Sequence, residues 1–161
     1  MVDGLVGSEM CIRDSGPNIM KGYWNRPDAT ASAIDELGWF HSGDVGYLDE
    51  EGYLYICDRL KDMVISGGEN VYPAEVESVL FEHPAVAEVA VIGLPDDKWG
   101  EAVTAVAALV PGADLSLEEL RSFAETKLAR YKLPLRLHVV DALPRNPAGK
   151  VLKFQLRESL A

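Results

Sequence analysis

Two runs, VAEVAVIGLPD at residues 86–96 and AVTAVAALV at residues 102–110, constrain this chain most. Both are rich in valine and alanine and are bounded by turn residues. The first reads as a half-buried strand and the second as a further strand. Two such strands need a covered sheet, and the rest of the chain must supply the cover.

The flanking segments do so. DMVIS, residues 62–66, is another short strand, broken by Gly67 and Gly68. Pro73 suits the first turn of a helix, and Val76, Val79 and Leu80 follow at helical spacing. PAEVESVLFE is therefore an amphipathic helix that Pro84 ends. Ser116 with Glu119 three residues on forms a capping box. Leu117, Leu120, Phe123, Ala124 and Leu128 line the apolar face of the helix that follows. LRLHVVDAL reads as a strand and LKFQLRESL as a short terminal helix. The order predicts a small α+β domain with helices on one face of a sheet. Upstream, Val45–Leu48 and Tyr53–Cys57 read as a hairpin joined by the acidic turn Asp49-Glu50-Glu51-Gly52. Residues 16–58 look like the β-rich remains of a different unit. SGPNIMKGYWNRPDAT is rich in turn formers, and the first fifteen residues show little periodicity.

With 161 residues, 48% of them apolar, a sizeable core is possible. The net charge of −11 argues against nucleic acid or an anionic membrane as the main partner. A local basic cluster, Lys127, Arg130 and Lys132, could still meet phosphate. Cys11 and Cys57 have no metal-type spacing and form no disulfide framework. His41, His83 and His138 are scattered and suggest no metal site. No run is long enough to span a membrane, and the start lacks the pattern of a signal peptide. These features fit a soluble, cytoplasmic protein in a reducing compartment.

Several clusters could carry chemistry, and each has a plain structural alternative. Asp44 follows Gly43 before a strand. Its carboxylate can accept from two neighbouring hydroxyls, as on a ribose, or bond its own backbone in a turn. Arg59 and Lys61 could reach a ribose or phosphate, or decorate a solvated edge. Gly67-Gly68 permits close approach of a slender ligand, or makes a turn. KLARYKLP could meet phosphates, or place cations at a helix end. NPAGKV superficially resembles a phosphate-binding P-loop. It lacks the first glycine and has Val151 where Ser or Thr belongs, so Lys150 is not a P-loop lysine. Ser42 and Ser66 have no evident His/Asp partners for a hydrolase triad.

Taken in series, MKGYWNRPDAT, GWFHSGDVGYLDEEGYLYICDRLKDMVISGGENVYPAEVE, VAVIGLPDDKWGE, LARYKLP and LPRNPAGKVLK resemble the C-terminal part of the acyl-activating, adenylate-forming (AMP-binding) enzymes. The nearest likeness is to fatty-acid–CoA ligases, from GGENVYPAEVE and ARYKLP. The resemblance covers residues 16–161. It implies three segments: 1–15 non-native, 16–60 the β-rich end of a large AMP-binding domain, and 61–161 the small C-terminal domain with its sheet covered by helices. It implies a two-step reaction with ATP, Mg²⁺, a carboxylic (fatty) acid and coenzyme A, giving acyl-AMP and then the thioester. Asp44 then resembles the carboxylate that holds the ribose hydroxyls, and Arg59 the arginine beside that ribose. Lys61 resembles the hinge residue and Lys150 the adenylating lysine. Gly67 and Gly68 would line the pantetheine channel, and Arg130 and Lys132 fall where CoA phosphates are met.

There are departures. HSGD stands where the family has TGD, and Ser42 keeps the hydroxyl. The phosphate loop, the Tyr-Gly-x-Thr-Glu adenine motif and the acyl pocket do not occur, so a large domain is expected in cis and the chain by itself is expected to be inactive. LVGSEMCIRDS resembles translated sequencing-adapter read-through, with Met1 then not a true start. Two alternatives stay open: an adenylation domain that loads a carrier protein, and a stand-alone module that lends its lysine to a partner. Peripheral membrane attachment of the intact enzyme is also open.

Overall fold

The computed structural model describes residues 10–161. The expectation of a non-native segment at residues 1–15 falls mostly outside them. The chain divides into two compact units, one ending at Lys61 and the other running Asp62–Ala161.

The first unit holds a three-stranded antiparallel sheet in the order β1 (Met10–Asp14), β2 (Phe40–Leu48), β3 (Leu54–Arg59), with helix α1 (Pro27–Ala33) between the first two. The expected hairpin is β2–β3, with both strands longer than the sequence pattern suggested. Asp49 shapes its turn by accepting from the N–H groups of Glu51 at 3.0 Å and Tyr53 at 2.8 Å. Tyr47 and Tyr55 face each other across the strands and stack with ring centres 5.1 Å apart. Gly46 lies under the carbonyl of Tyr55, where a Cβ would come within 2.5 Å of the oxygen. Strand β1 forms in a segment without visible periodicity. Among residues 11–14 only Ile12 is buried, and one residue sets no period. Helix α1 falls where turn formers suggested a loop. Pro27 at its first turn starts it, and the preceding turn residues obscure it.

The second unit is built on a long antiparallel pair, β6 (Val86–Asp96) and β7 (Gly100–Leu109). The short hairpin β4 (Val64–Ser66) and β5 (Glu69–Val71) adds on one side of β7. Strand β8 (Arg136–Val139) pairs with β7 in parallel. Helices α2 (Pro73–Phe81) and α3 (Leu117–Ala124) cover one face, and α4 (Lys153–Leu160) lies on the other. Val91, Val103 and Ala105 face Val76, Leu80, Leu120 and Ala124, while Ala90, Ile92, Leu94 and Val106 meet Leu143 and Leu156.

The α+β class holds, but two expectations change. Helices cover both faces of the sheet rather than one. Strand β6 is therefore not half-buried: residues 90–94 are all buried. Alternation fails as a signal because both faces are apolar, as in any sheet covered twice. The Ser116 capping box is present, with the Glu119 N–H donating to Ser116 Oγ at 3.2 Å and the Ser116 N–H to Glu119 Oε2 at 2.9 Å. The helix stops at Ala124, and Leu128 is buried by the turn that follows. Among the described residues no helix is long and apolar enough to cross a membrane.

The cap has a pH signature. Hydrogen bonds from the Ser116 hydroxyl and backbone hold the Glu119 carboxyl below its usual value. A depressed folded-state pKa stabilises fully above the unfolded value and is lost as pH falls through the folded one. Ser116→Ala should lower unfolding free energy by about 1 kcal/mol at pH 7. Urea unfolding should show the difference shrinking in acid, and a constant difference down to pH 3 would contradict the assignment.

Candidate functional site

The candidate residues fall in three places. In the first unit, Gly43 has a left-handed backbone (φ +74°) that turns Asp44 toward β3. Asp44 and Arg59 are register partners, and Arg59 Nε meets Asp44 Oδ1 at 2.7 Å. Arg59 Nη1 also donates to the Ser42 carbonyl at 3.4 Å. Ser42 Oγ accepts from the Asp44 N–H at 3.2 Å, so the hydroxyl organises this bend. The Asp44 carboxylate is not spent on a turn of its own. It stands as half of an ion pair, with its side chain about a fifth exposed (21%). Lys61 lies exposed in the 3₁₀ turn Leu60–Asp62, at the boundary of the two units. Its neighbour Asp62 is fixed to α4 by Arg157 Nη2 at 3.0 Å.

In the second unit, Ser66 pairs with Glu69, leaving Gly67 and Gly68 as a two-residue hairpin loop. Both have positive φ, +61° and +87°, the pattern of a type I′ turn. The Gly67 N–H donates to the Trp99 carbonyl at 2.8 Å, and a Cβ at Gly67 would meet the Trp99 ring at 2.9 Å. The Ile65 N–H donates to Glu101 Oε2 at 2.7 Å, which holds β4 where its pairing with β7 runs out. Beside this turn opens a pocket of about 530 Å³ lined by Ser66, Lys98, Trp99, Arg121, Arg130, Tyr131 and Leu135. Lys98 Nζ lies over the Trp99 ring at 4.7 Å from its centre. Three cations, two aromatic rings and no carboxylate suit an anion that carries a flat, stackable group.

Asp96 shapes this corner. Its Oδ1 accepts from the N–H groups of Lys98 at 3.0 Å and Trp99 at 3.1 Å, and its Oδ2 takes Arg136 Nη2 at 2.7 Å. The two backbone donors and the guanidinium hold its carboxyl below the usual range.

Of the expected basic cluster, Arg130 alone lines this pocket. Lys132 is held by Glu75 at 2.6 Å, with its side chain only 18% exposed, and ties the 3₁₀ turn Arg130–Lys132 to α2. Lys127 pairs with Glu82 at 2.5 Å. Sequence reading gave no role to Lys98, Trp99, Arg121 or Tyr131. The signals were the DDKWGE turn, which holds Lys98 and Trp99, and KLARYKLP, which holds Tyr131; nothing pointed to Arg121.

The third place is the loop Leu143–Lys153. Leu143 is buried against β6, and Arg145 and Val151 form an isolated bridge that closes the loop. Gly149 has φ +82°. Lys150 is exposed, and among the described residues its ammonium has no ion-pair partner. Lys153, three residues on, is instead fixed to Glu77 at 2.7 Å.

Comparison with known proteins agrees with this architecture. Residues 75–150 match the family described as AMP-binding enzyme C-terminal domain. The long-chain-fatty-acid–CoA ligase FadD13 of Mycobacterium tuberculosis is 57% identical over 94% of this chain and 31% of its own length. The 2-succinylbenzoate–CoA ligase of Geobacillus kaustophilus is 54% identical over 88% of this chain and 29% of its own length. Among solved structures, o-succinylbenzoate CoA synthetase from Bacillus subtilis, in complex with the acyl-adenylate intermediate OSB-AMP, superposes with a TM-score of 0.87 at 47% identity. That match covers 95% of this chain and 31% of the other. Residues 75–150 thus carry the AMP-binding enzyme C-terminal domain, and nearly the whole chain is similar to acyl-CoA ligases. The chain spans about a third of the length of the acyl-CoA ligases it matches.

The glycine turn gives a direct test. Gly68→Ala meets nothing within 4 Å and pays only for its positive φ, about 1–2 kcal/mol. Gly67→Ala adds the clash with Trp99 and should cost more and shift the tryptophan emission. Equal urea midpoints for the two variants would contradict this packing.

Proposed function

We propose that this chain is the C-terminal part of an adenylate-forming acid–thiol ligase, with the large AMP-binding domain joined in cis. In the first step a carboxylate oxygen attacks the α-phosphorus of Mg-ATP and pyrophosphate leaves. In the second, the thiol sulfur of coenzyme A attacks the acyl carbon, loses its proton, and AMP leaves with the bonding electrons. Lys150 sets its ammonium between carboxylate and α-phosphate as charge develops there, an electrostatic stabilisation of the transition state. Asp44 accepts the ribose hydroxyls, and Arg59 holds that carboxylate in place. The Gly67-Gly68 turn admits pantetheine past a surface without side chains, and the pocket with Arg130 receives the anionic nucleotide end of coenzyme A. Lys132, engaged with Glu75, supports that pocket from behind. These substrates point to a cytoplasmic enzyme.

One observation carries the reading. The Lys150 loop is tied to Glu88, near the start of β6, by Arg145 Nη2 at 3.0 Å. The Gly67 turn is tied to Trp99, at the other end of the same hairpin. Glu88 and Asp96 lie eight positions apart along β6, roughly 25 Å at the rise of an extended chain. Both stations belong to one packed unit, so they cannot serve one reaction centre at once. A unit that carries a lysine for one step and a thiol channel for the next must turn between them, and Lys61, exposed at the junction, is the hinge.

A fatty acid is the proposed substrate class, supported by the GGENVYPAEVE and ARYKLP stretches and the fatty-acid–CoA ligase relative. The succinylbenzoate ligase is nearly as similar, so the acid is chosen outside this segment.

The chain alone should form no acyl-CoA from ATP, coenzyme A and a fatty acid, because a single lysine cannot position the reactants. Substituted for the matching third of the mycobacterial ligase, it should restore acyl-CoA formation. In that chimera Lys150→Ala should slow ATP–pyrophosphate exchange by about 10²–10³-fold. Undiminished exchange would overturn the role of Lys150, and turnover by the chain alone would overturn the need for a large domain.

A further inference from the structure

We propose that Asn146 is a positioning residue for Lys150: its side chain and backbone together fix the peptide from which the ammonium is presented. The inference rests on the reading of Lys150 as the adenylating lysine. Asn146 Oδ1 accepts from the N–H of Lys150 at 2.9 Å and from the N–H of Ala148 at 3.0 Å. The Asn146 N–H donates to the Lys150 carbonyl at 2.9 Å, and its carbonyl accepts from the Gly149 N–H at 2.9 Å. Lys150 is thus bound through its own N–H and its own carbonyl to one residue.

The base of the loop is closed by the Arg145–Val151 bridge and by the Leu152 N–H on the Pro144 carbonyl at 2.8 Å, while Asn146 restrains its tip. Pro147 donates no backbone hydrogen bond, and Gly149 is free to adopt other angles. Arg145 fastens the outside of the turn, with Nη1 on the Gly149 carbonyl at 2.6 Å and Nη2 on Glu88 at 3.0 Å. Asn146 therefore sets the shape of the turn and Arg145 sets its place on β6. Precision matters because a lysine has four rotatable side-chain bonds. If the backbone also moves, the ammonium samples a wide volume, and an error of about 1 Å at a reacting centre can cost on the order of 10²-fold in rate.

The acceptor Oδ1 is the working atom. Asn146→Asp keeps it. Asn146→Leu has nearly the same size and removes it. In the chain as it stands, amide-proton exchange measured by NMR should quicken at least tenfold at Ala148 and Lys150 in Asn146→Leu, with an unchanged melting temperature, and return to the parent rate in Asn146→Asp. In the chimera, Asn146→Leu should lower kcat for pyrophosphate exchange ten- to a hundredfold with KM for ATP unaltered. It should leave thioester formation from added acyl-adenylate intact, and Asn146→Asp should recover most of the loss. Unchanged amide exchange overturns the proposal. So does an equal loss in both half-reactions with a lowered melting temperature, which marks a merely structural role. Lys150→Ala is the control: if it leaves pyrophosphate exchange intact, the underlying reading of Lys150 fails and the proposal with it. If Lys150→Ala is slow and Asn146→Leu is not, only the proposal fails.

Discussion

The second unit depends on the pairing of β6 with β7. These strands run side by side from Val86 opposite Leu109 to Asp96 opposite Gly100, with one register shift near Val86. Their side chains are buried on both faces, so the pair cannot exist without cover on both sides. Helices α2 and α3 supply one cover, and Leu143 with α4 the other. At about 25 cal/mol per Å² of apolar surface removed from water, this two-sided burial is the dominant favourable term available. The Lys150 loop is fastened to the start of that hairpin and the Gly67 turn to its far end. The distance between the two stations follows from its length.

The same hairpin explains how an acidic chain offers an anion site. With a net charge of −11, carboxylates outnumber cations overall. They are deployed as struts. Asp96 spends its oxygens on the Lys98–Trp99 turn and on Arg136, and Glu75 neutralises Lys132. Three cations outside these pairs, Lys98, Arg121 and Arg130, share one pocket in which no carboxylate lines the wall. Arg121 is partly committed through its bond to the Pro134 carbonyl, which orients its guanidinium without neutralising it.

Much of the fold was legible because local and global signals agreed. Pro73 and the spacing of Val76 and Leu80 gave α2, Ser116 with Glu119 gave the start of α3, and the Asp49–Gly52 turn gave the β2–β3 hairpin. What failed did so for physical reasons. β5 is three residues long, too short for any period. The second covered face could not be read because β6 and β7 are apolar on both sides. α4 read only as a short terminal helix, with nothing local to say which face of the sheet it covers. The site was legible residue by residue but not as an arrangement. That Lys132 meets Glu75, 57 positions away, and that Trp99 backs Gly67 are tertiary facts. Asp44 and Arg59 could be picked out singly, while their pairing across β2 and β3 comes from strand register.

The most direct test is a single-turnover measurement of both half-reactions in the chimera with the mycobacterial large domain, comparing Lys150→Ala with Trp99→Ala. If the two ends of the β6–β7 hairpin serve successive steps, Lys150→Ala slows acyl-adenylate formation and spares thioester formation from added adenylate. Trp99→Ala then does the reverse. If either substitution slows both steps equally while the protein stays folded, the two stations do not act separately, and the reading of a domain that turns about Lys61 is wrong.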